Sequence, residues 1–228
     1  MNNKITWLGQ AGVLIEKAGY KIMVDPYLSD SCAKINPLSK RRVPVEDWVF
    51  DVKPDIIICT HNHLDHLDPE TLCRFLSETS KVIVLCTENG FPEVRKFGGA
   101  NNYVMMHPGT MWTQGDMTFT AVPADHSETT AIGIIIDDGD KKLYITGDTL
   151  YNKAIFDHVP DDIYALFLPV NGLGNNMNMT DALKFTQKVN PEYVIPMHCG
   201  LFDDIDLNGF EAENKIVPEF FKEIKFRD

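Results

Sequence analysis

Nine consecutive residues, THNHLDHLD at 60–68, hold three histidines and two aspartates directly after the apolar run DIIIC at 55–59. The chain has only seven histidines in 228 residues. A shuffled copy would show the H-x-H-x-D-H pattern only about once in 2,000 trials. Imidazole and carboxylate at this density are ligands for divalent cations. The side chains of an H-x-H pair alternate along a turning loop, so His61 and His63 can close on one ion while Asp65 and His66 reach a neighbouring position. One loop can therefore start two metal sites.

Each ion needs further ligands, and few residues can supply them. His126 follows the strand-like FTAV, Asp148 follows LYIT, and His198 follows YVIPM. All three stand just after an apolar run, as they should if one rim of a sheet gathers a site. Taken singly, His126 and His198 read as strand-end histidines and Asp148 as a turn residue after Gly147. The ordered set outweighs those readings. Asp25, at the end of another run in VDPY, reads either as an Asx turn or as a carboxylate orienting a ligating histidine. His107 and His158 fall outside the pattern. Two ions sharing a water would lower its pKa toward about 7. Asp65 is then the group to orient that water and later carry its proton to a leaving oxygen.

Short β-branched runs supply the elements that position these residues: KITWL, GVLIE, YKIMV, DIIIC, KVIVLC, MTFTAV, IGIIID, KLYIT, YALFL and EYVIPM. A helix is expected from Asp68-Pro69 through Leu72, Phe75 and Leu76, and a second from Thr180 to the stop at Asn190-Pro191. A third is expected over roughly residues 210–224. Early hairpins followed by strand, helix, strand units argue for stacked sheets flanked by helices, in one domain over residues 1–228. No repeat is visible, although two structurally similar halves could hide without sequence similarity.

The formal net charge of −12 opposes attraction to nucleic acid or an anionic membrane but not to a small anionic substrate. Five cysteines without C-x-x-C spacing fit reduced, buried thiols. The amino terminus shows no charged leader with a long apolar stretch, and the longest apolar run, AIGIII at 131–136, is too short to span a bilayer. A soluble, cytoplasmic protein is expected. The densest basic stretch, Lys40-Arg41-Arg42, reads as a solvated loop or as a phosphate clamp in which the guanidiniums of Arg41 and Arg42 grip substrate. Large apolar residues in the C-terminal segment read first as core and leave a homo-oligomer open.

The ordered set of H-x-H-x-D-H at 61–66, His126, Gly147-Asp148 and His198 resembles the metallo-β-lactamase superfamily. That resemblance implies an α/β fold, a four-layer αββα sandwich. It implies that His61, His63 and His126 hold one divalent ion, Asp65, His66 and His198 the other, and Asp148 bridges them, with Zn²⁺ or Mn²⁺ as the metal. Within the superfamily the chain is most similar to the L-ascorbate-6-phosphate lactonase-like group, through WLGQAGVLIE, MVDPYLSDS, RRVPVEDW, ICTHNHLDHLDPETL, AVPADHS, PVNGLGNNMNMTDAL and VIPMHCGLF. This implies a metal-dependent hydrolase opening a lactone or related ester on a small phosphorylated, sugar-acid-like substrate. In that group the stretch at 171–180 lies over the active site, so Asn176 and Asn178 become candidates for substrate contact; otherwise they form a turn and a helix cap. Competing functions are a phosphodiesterase for a small phosphodiester, a di-iron redox protein, and a metal-binding protein without catalysis. Histidine rather than glutamate at position 63 weighs against the second, and Asp65 against the third.

Overall fold

The computed structural model describes residues 4–227. Six strands form the first sheet in sequence order: β1 (Lys4–Gly9), β2 (Gly12–Lys17), β3 (Tyr20–Val24), β4 (Ile56–Cys59), β5 (Ile83–Cys86) and β6 (Asn102–Met105). Six more form the second: β7 (Met111–Gln114), β8 (Met117–Pro123), β9 (Ile132–Asp137), β10 (Lys142–Ile145), β11 (Ile163–Pro169) and β12 (Tyr193–Met197). In each sheet an antiparallel meander gives way to parallel strands, at β3 to β4 in one and at β10 to β11 in the other. The halves are thus alike in architecture, without a visible sequence repeat.

The strands read as continuous apolar runs because both faces of each sheet are buried. Alternate residues go to different cores. Trp7, Val13, Ile15, Ile58, Phe119, Ile134 and Phe167 meet between the sheets. Leu8, Leu14, Met23 and Ile57 face outward onto Leu72, Phe75, Leu76 and Val94. On the other side Tyr144, Leu166 and Leu168 pack on Ala182, Phe185 and Val189. Short helices α1 (Ser31–Ile35), α2 (Pro69–Leu72) and α3 (Phe91–Val94) lie in the first half of the chain, and α4 (Met179–Val189) in the second. The result is the expected α/β sandwich, two mixed sheets flanked by helices. No helix among the described residues is long and apolar enough to cross a membrane.

Asp68 caps α2, its carboxylate accepting from the Glu70 and Thr71 amides, but the helix stops after one turn, earlier than Phe75 and Leu76 suggested. α4 starts at Met179, capped by Asn178, and ends at Asn190 in the left-handed region. The third expected helix does not form. Pro218 falls inside the segment and Phe221 has a φ of +58°, both incompatible with a continuous helix. The segment serves the exposed sheet edges instead: Ile216 donates to Val194 of β12, while Phe221 and Ile224 donate to Trp7 and Ile5 of β1. One tail thereby covers the open edge of both sheets. Strands β6 and β7, which carry no clean apolar alternation, were not legible as strands; they are the half-exposed edges opposite.

Candidate functional site

The loops leaving the C-terminal ends of β1, β3, β4, β8, β10 and β12 converge on one rim, carrying Gln10, Asp25, the 61–66 cluster, His126, Asp148 and His198. Gln10, Asp25 and His198 all have positive φ, at 50°, 43° and 60°. Three non-glycine residues in that sparsely populated region at one rim mark a site where the fold overrides local preference. Gly147 is required for another reason: a Cβ there would stand 2.8 Å from the Ile132 carbonyl oxygen and 3.0 Å from the Thr60 Cβ. Only glycine lets Asp148 sit against the 61–66 loop.

The seven ligand-type residues meet. His61, His63 and His126 form one group, Asp65, His66 and His198 another, and Asp148 groups with His61 and His66; within each group the ligand atoms lie within 4.8 Å of one another. His63 Nδ1 is 3.1 Å from His126 Nε2, and His66 Nε2 is 3.2 Å from His198 Nε2. Asp148 Oδ1 stands 3.3 Å from His66 Nε2 and 3.2 Å from His198 Nε2, and Asp65 Oδ2 is 3.4 Å from the latter.

The outward-facing ring nitrogens are committed elsewhere. His66 Nδ1 donates to Asp25 Oδ2 at 2.8 Å. His61 Nδ1 donates to Thr60 Oγ1, which in turn donates to Asp25 Oδ2 at 2.6 Å. His126 Nδ1 donates to the Asn175 carbonyl at 3.2 Å. In the neutral rings each arrangement turns the inner Nε2 lone pair toward the cluster. His61 Nε2 is buried with no hydrogen-bond partner, an arrangement that costs about 1–3 kcal/mol when nothing compensates. Imidazole nitrogens and carboxylate oxygens converging in three groups, the first and last each sharing a histidine with the one between, fit a divalent-metal centre.

Asp25, fully buried, spends its carboxylate on His66 Nδ1, Thr60 Oγ1 and the Thr60 amide rather than on an Asx turn. Asn176 lines the cavity, but its amide is occupied: Nδ2 donates to Asp148 Oδ2 at 2.9 Å and Oδ1 accepts from the Thr149 amide. It positions Asp148. Asn178 caps α4 and is absent from the cavity wall. The basic loop also corrects the expectation of a clamp. Arg41 is buried, donating to the carbonyls of Tyr27 and Val43. Arg42 pairs with Asp204. Neither lines the cavity.

Two residues escaped the sequence reading. Gln10 Nε2 donates to Asp65 Oδ2 at 2.8 Å, and the Asn171 amide lies 3.0 Å from His198 Nδ1. A glutamine in a Gly-rich turn and an asparagine after a strand carry no signal of their own; only the tertiary contacts reveal them. The cavity over the cluster measures about 480 Å³, within the about 300–1,000 Å³ usual for small-molecule sites.

The electrostatics divide the cluster. Burial pushes His61 and His126 well down or down, so both are neutral ligand-ready imidazoles at pH 7. Burial would also lower His198 and His66, but Asp148 and Asp65 outweigh it: His198 is pushed up to about 10 and His66 well above its ordinary value. A raised folded pKa means stabilisation fully present below about 6.5, the ordinary histidine value, and lost as pH rises through about 10. The metal-free protein should therefore lose stability over that interval. Loading metal must expel these protons, so calorimetric titration of Zn²⁺ or Mn²⁺ into metal-free protein at pH 8, in buffers of different ionisation enthalpy, should show release of about one to two protons. Release of none would contradict ligation through His66 and His198.

A family profile described as beta-lactamase superfamily domain matches residues 4–198. A UPF0173 metal-dependent hydrolase of Carboxydothermus hydrogenoformans is 30% identical, covering 93% of this chain and 91% of its own. Another, of Thermoplasma acidophilum, is 31% identical over 98% of this chain and 99% of its own. The fold is shared with a solved metallo hydrolase from Ignicoccus hospitalis, with a TM-score of 0.79, 22% identity and 99% coverage of both chains.

Proposed function

This chain belongs to the beta-lactamase superfamily and to its UPF0173 metal-dependent hydrolases, and on that premise we propose that it hydrolyses a small ester or lactone at a pair of divalent ions, Zn²⁺ or Mn²⁺. The observation that carries the proposal is the overlap of donor sets, with Asp148 between the group of His61 and that of His66. His61, His63 and His126 would hold one ion, Asp65, His66 and His198 the other, and Asp148 both. Such a pair supplies Lewis acidity and a reactive water at neutral pH.

The chain's own groups do the rest. Asp65 lines the cavity, is ionised at neutral pH, and can take a proton from the attacking water and return it to the leaving alcohol. Gln10 fixes Asp65 through Oδ2. Asp25 fixes His66 and, through Thr60, His61. Lactone opening follows the similarity to the L-ascorbate-6-phosphate lactonase-like group. The phosphate expected on the substrate is not carried forward, since neither Arg41 nor Arg42 reaches the cavity.

The test is a panel of neutral aryl esters, γ- and δ-lactones and a phosphodiester, assayed with metal-loaded protein, after chelation, and after metal is restored. Ester or lactone turnover that disappears and returns with the metal is expected. Turnover of the phosphodiester alone would replace the substrate class, and no metal-dependent turnover on any of them would sink the proposal.

A further inference from the structure

The reaction centre is polar, but the rest of the cavity wall is different in kind. Leu38, from the loop after α1, and Leu173, from the loop between β11 and α4, both line the cavity and are 84% and 57% exposed. Phe202, from the loop after His198, lines it too. Large apolar side chains left in water at the mouth of a site are unfavourable for the free protein and become favourable when a ligand covers them.

The charge pattern points the same way. No lysine or arginine appears among the described residues lining the cavity, whereas Asp203 stands in its wall with its carboxylate held by the Gly200 and Ile205 amides. An anionic substituent extending from the reaction centre toward this mouth would meet a carboxylate and no cation. Anionic ligands in clefts are ordinarily met by arginine forks or lysines.

We propose that the substrate carries an uncharged apolar group, an alkyl or aryl tail, which Leu38, Leu173 and Phe202 enclose at the cavity mouth. The inference rests on the reading of the site as an ester or lactone hydrolase only for the reacting bond, not for the tail. Specificity is set by loops that hold no metal ligand in the case of Leu38 and Leu173. A phosphorylated or carboxylated tail is discriminated against.

Binding separates the tail from the reaction. Alkyl hydroxamates of two to eight carbons, with matched ω-carboxylates, are titrated calorimetrically into the metal-loaded protein, so that a common head group engages the metals and only the tail varies. Full burial of a methylene tightens binding about fourfold, so a two- to fourfold fall in Kd per added methylene is expected over the first several. The ω-carboxylates should bind at least about tenfold more weakly than their neutral counterparts. Leu38→Ala and Leu173→Ala, at exposed positions where folding is not at stake, should flatten the dependence on tail length. A Kd independent of tail length, or tightened by the terminal carboxylate, would overturn the proposal. If the Kd trend holds but matched alkyl esters are not hydrolysed, the hydrolase reading fails and the tail site stands.

Discussion

Asp148→Ala is expected to lower kcat/KM by about 10³-fold and to leave the protein unable to hold its full complement of metal. Outer contacts to metal ligands are usually worth about 10–100-fold in affinity or activity, and Asp148 is no outer contact. Its Oδ1 is the buried oxygen facing both His66 and His198, and its Oδ2 is held by Asn176. Burial alone would raise its pKa, but the imidazoles of His198 and His66 hold it well below the usual carboxylate range. It is therefore a charged group in a buried place, and alanine leaves its partners uncompensated. Removing one partner of such a buried pair costs about 3–5 kcal/mol. Metal stoichiometry by elemental analysis, steady-state kinetics and a urea midpoint on metal-free protein together check the prediction. Full metal content with full activity would show that Asp148 bridges nothing.

Asp65→Asn should separate proton transfer from metal binding. The amide is close in shape to the carboxylate, and its oxygen can still accept from Gln10 Nε2, so the loop should keep its place. It cannot carry a proton. General acid–base catalysis is typically worth about 10²–10⁴-fold, and a loss of kcat in that range is expected while His66 and His198 still retain metal. Exposure singles out Asp65 over Asp148 for this role: both line the cavity, but the Asp65 side chain is 21% exposed, against 6% for Asp148. As with Asp148, burial would raise its pKa but His66 and His198 keep it below the usual carboxylate range, so it is ionised across neutral pH. A variant with both metals bound and wild-type kcat would remove Asp65 from the proton path.

Much of this was legible in the chain itself. Ten of the strands announced themselves as short β-branched runs, uninterrupted where burial on both faces forces Ile, Val and Leu, as in IIIC of β4 and IGIIID of β9. The ligand cluster was legible because histidine is scarce here and its spacing is unmistakable. Strands β6 and β7 were not, since a half-exposed edge of four residues tolerates Asn, Thr and Gln and so loses its period. The tail misled for the opposite reason. Its phenylalanines and isoleucines have spacing compatible with a helix, yet Pro218 and the demand of two open sheet edges made it extended.

The basic loop shows where residue type stops being informative. A guanidinium can bind a substrate phosphate or backbone carbonyls with the same donors, and nothing in Lys40-Arg41-Arg42 distinguishes the two. Only the position of the Tyr27 and Val43 carbonyls decided that Arg41 holds the structure together. The same applies to Asn176 and Asn178, neighbours in one polar stretch, of which one orients Asp148 and the other caps a helix. What the sequence by itself determined is the kind of chemistry on offer: imidazoles and carboxylates are ligand groups for divalent metals wherever the chain brings them together, because ligand identity is intrinsic to the side chain. What only the tertiary structure decided is which nitrogen of each ring faces inward, which carboxylate meets the cavity, and what covers its mouth. Those depend on contacts between loops far apart in the chain, such as Asp25 on His66 and Gln10 on Asp65, and no local pattern encodes a contact whose partner lies on another loop.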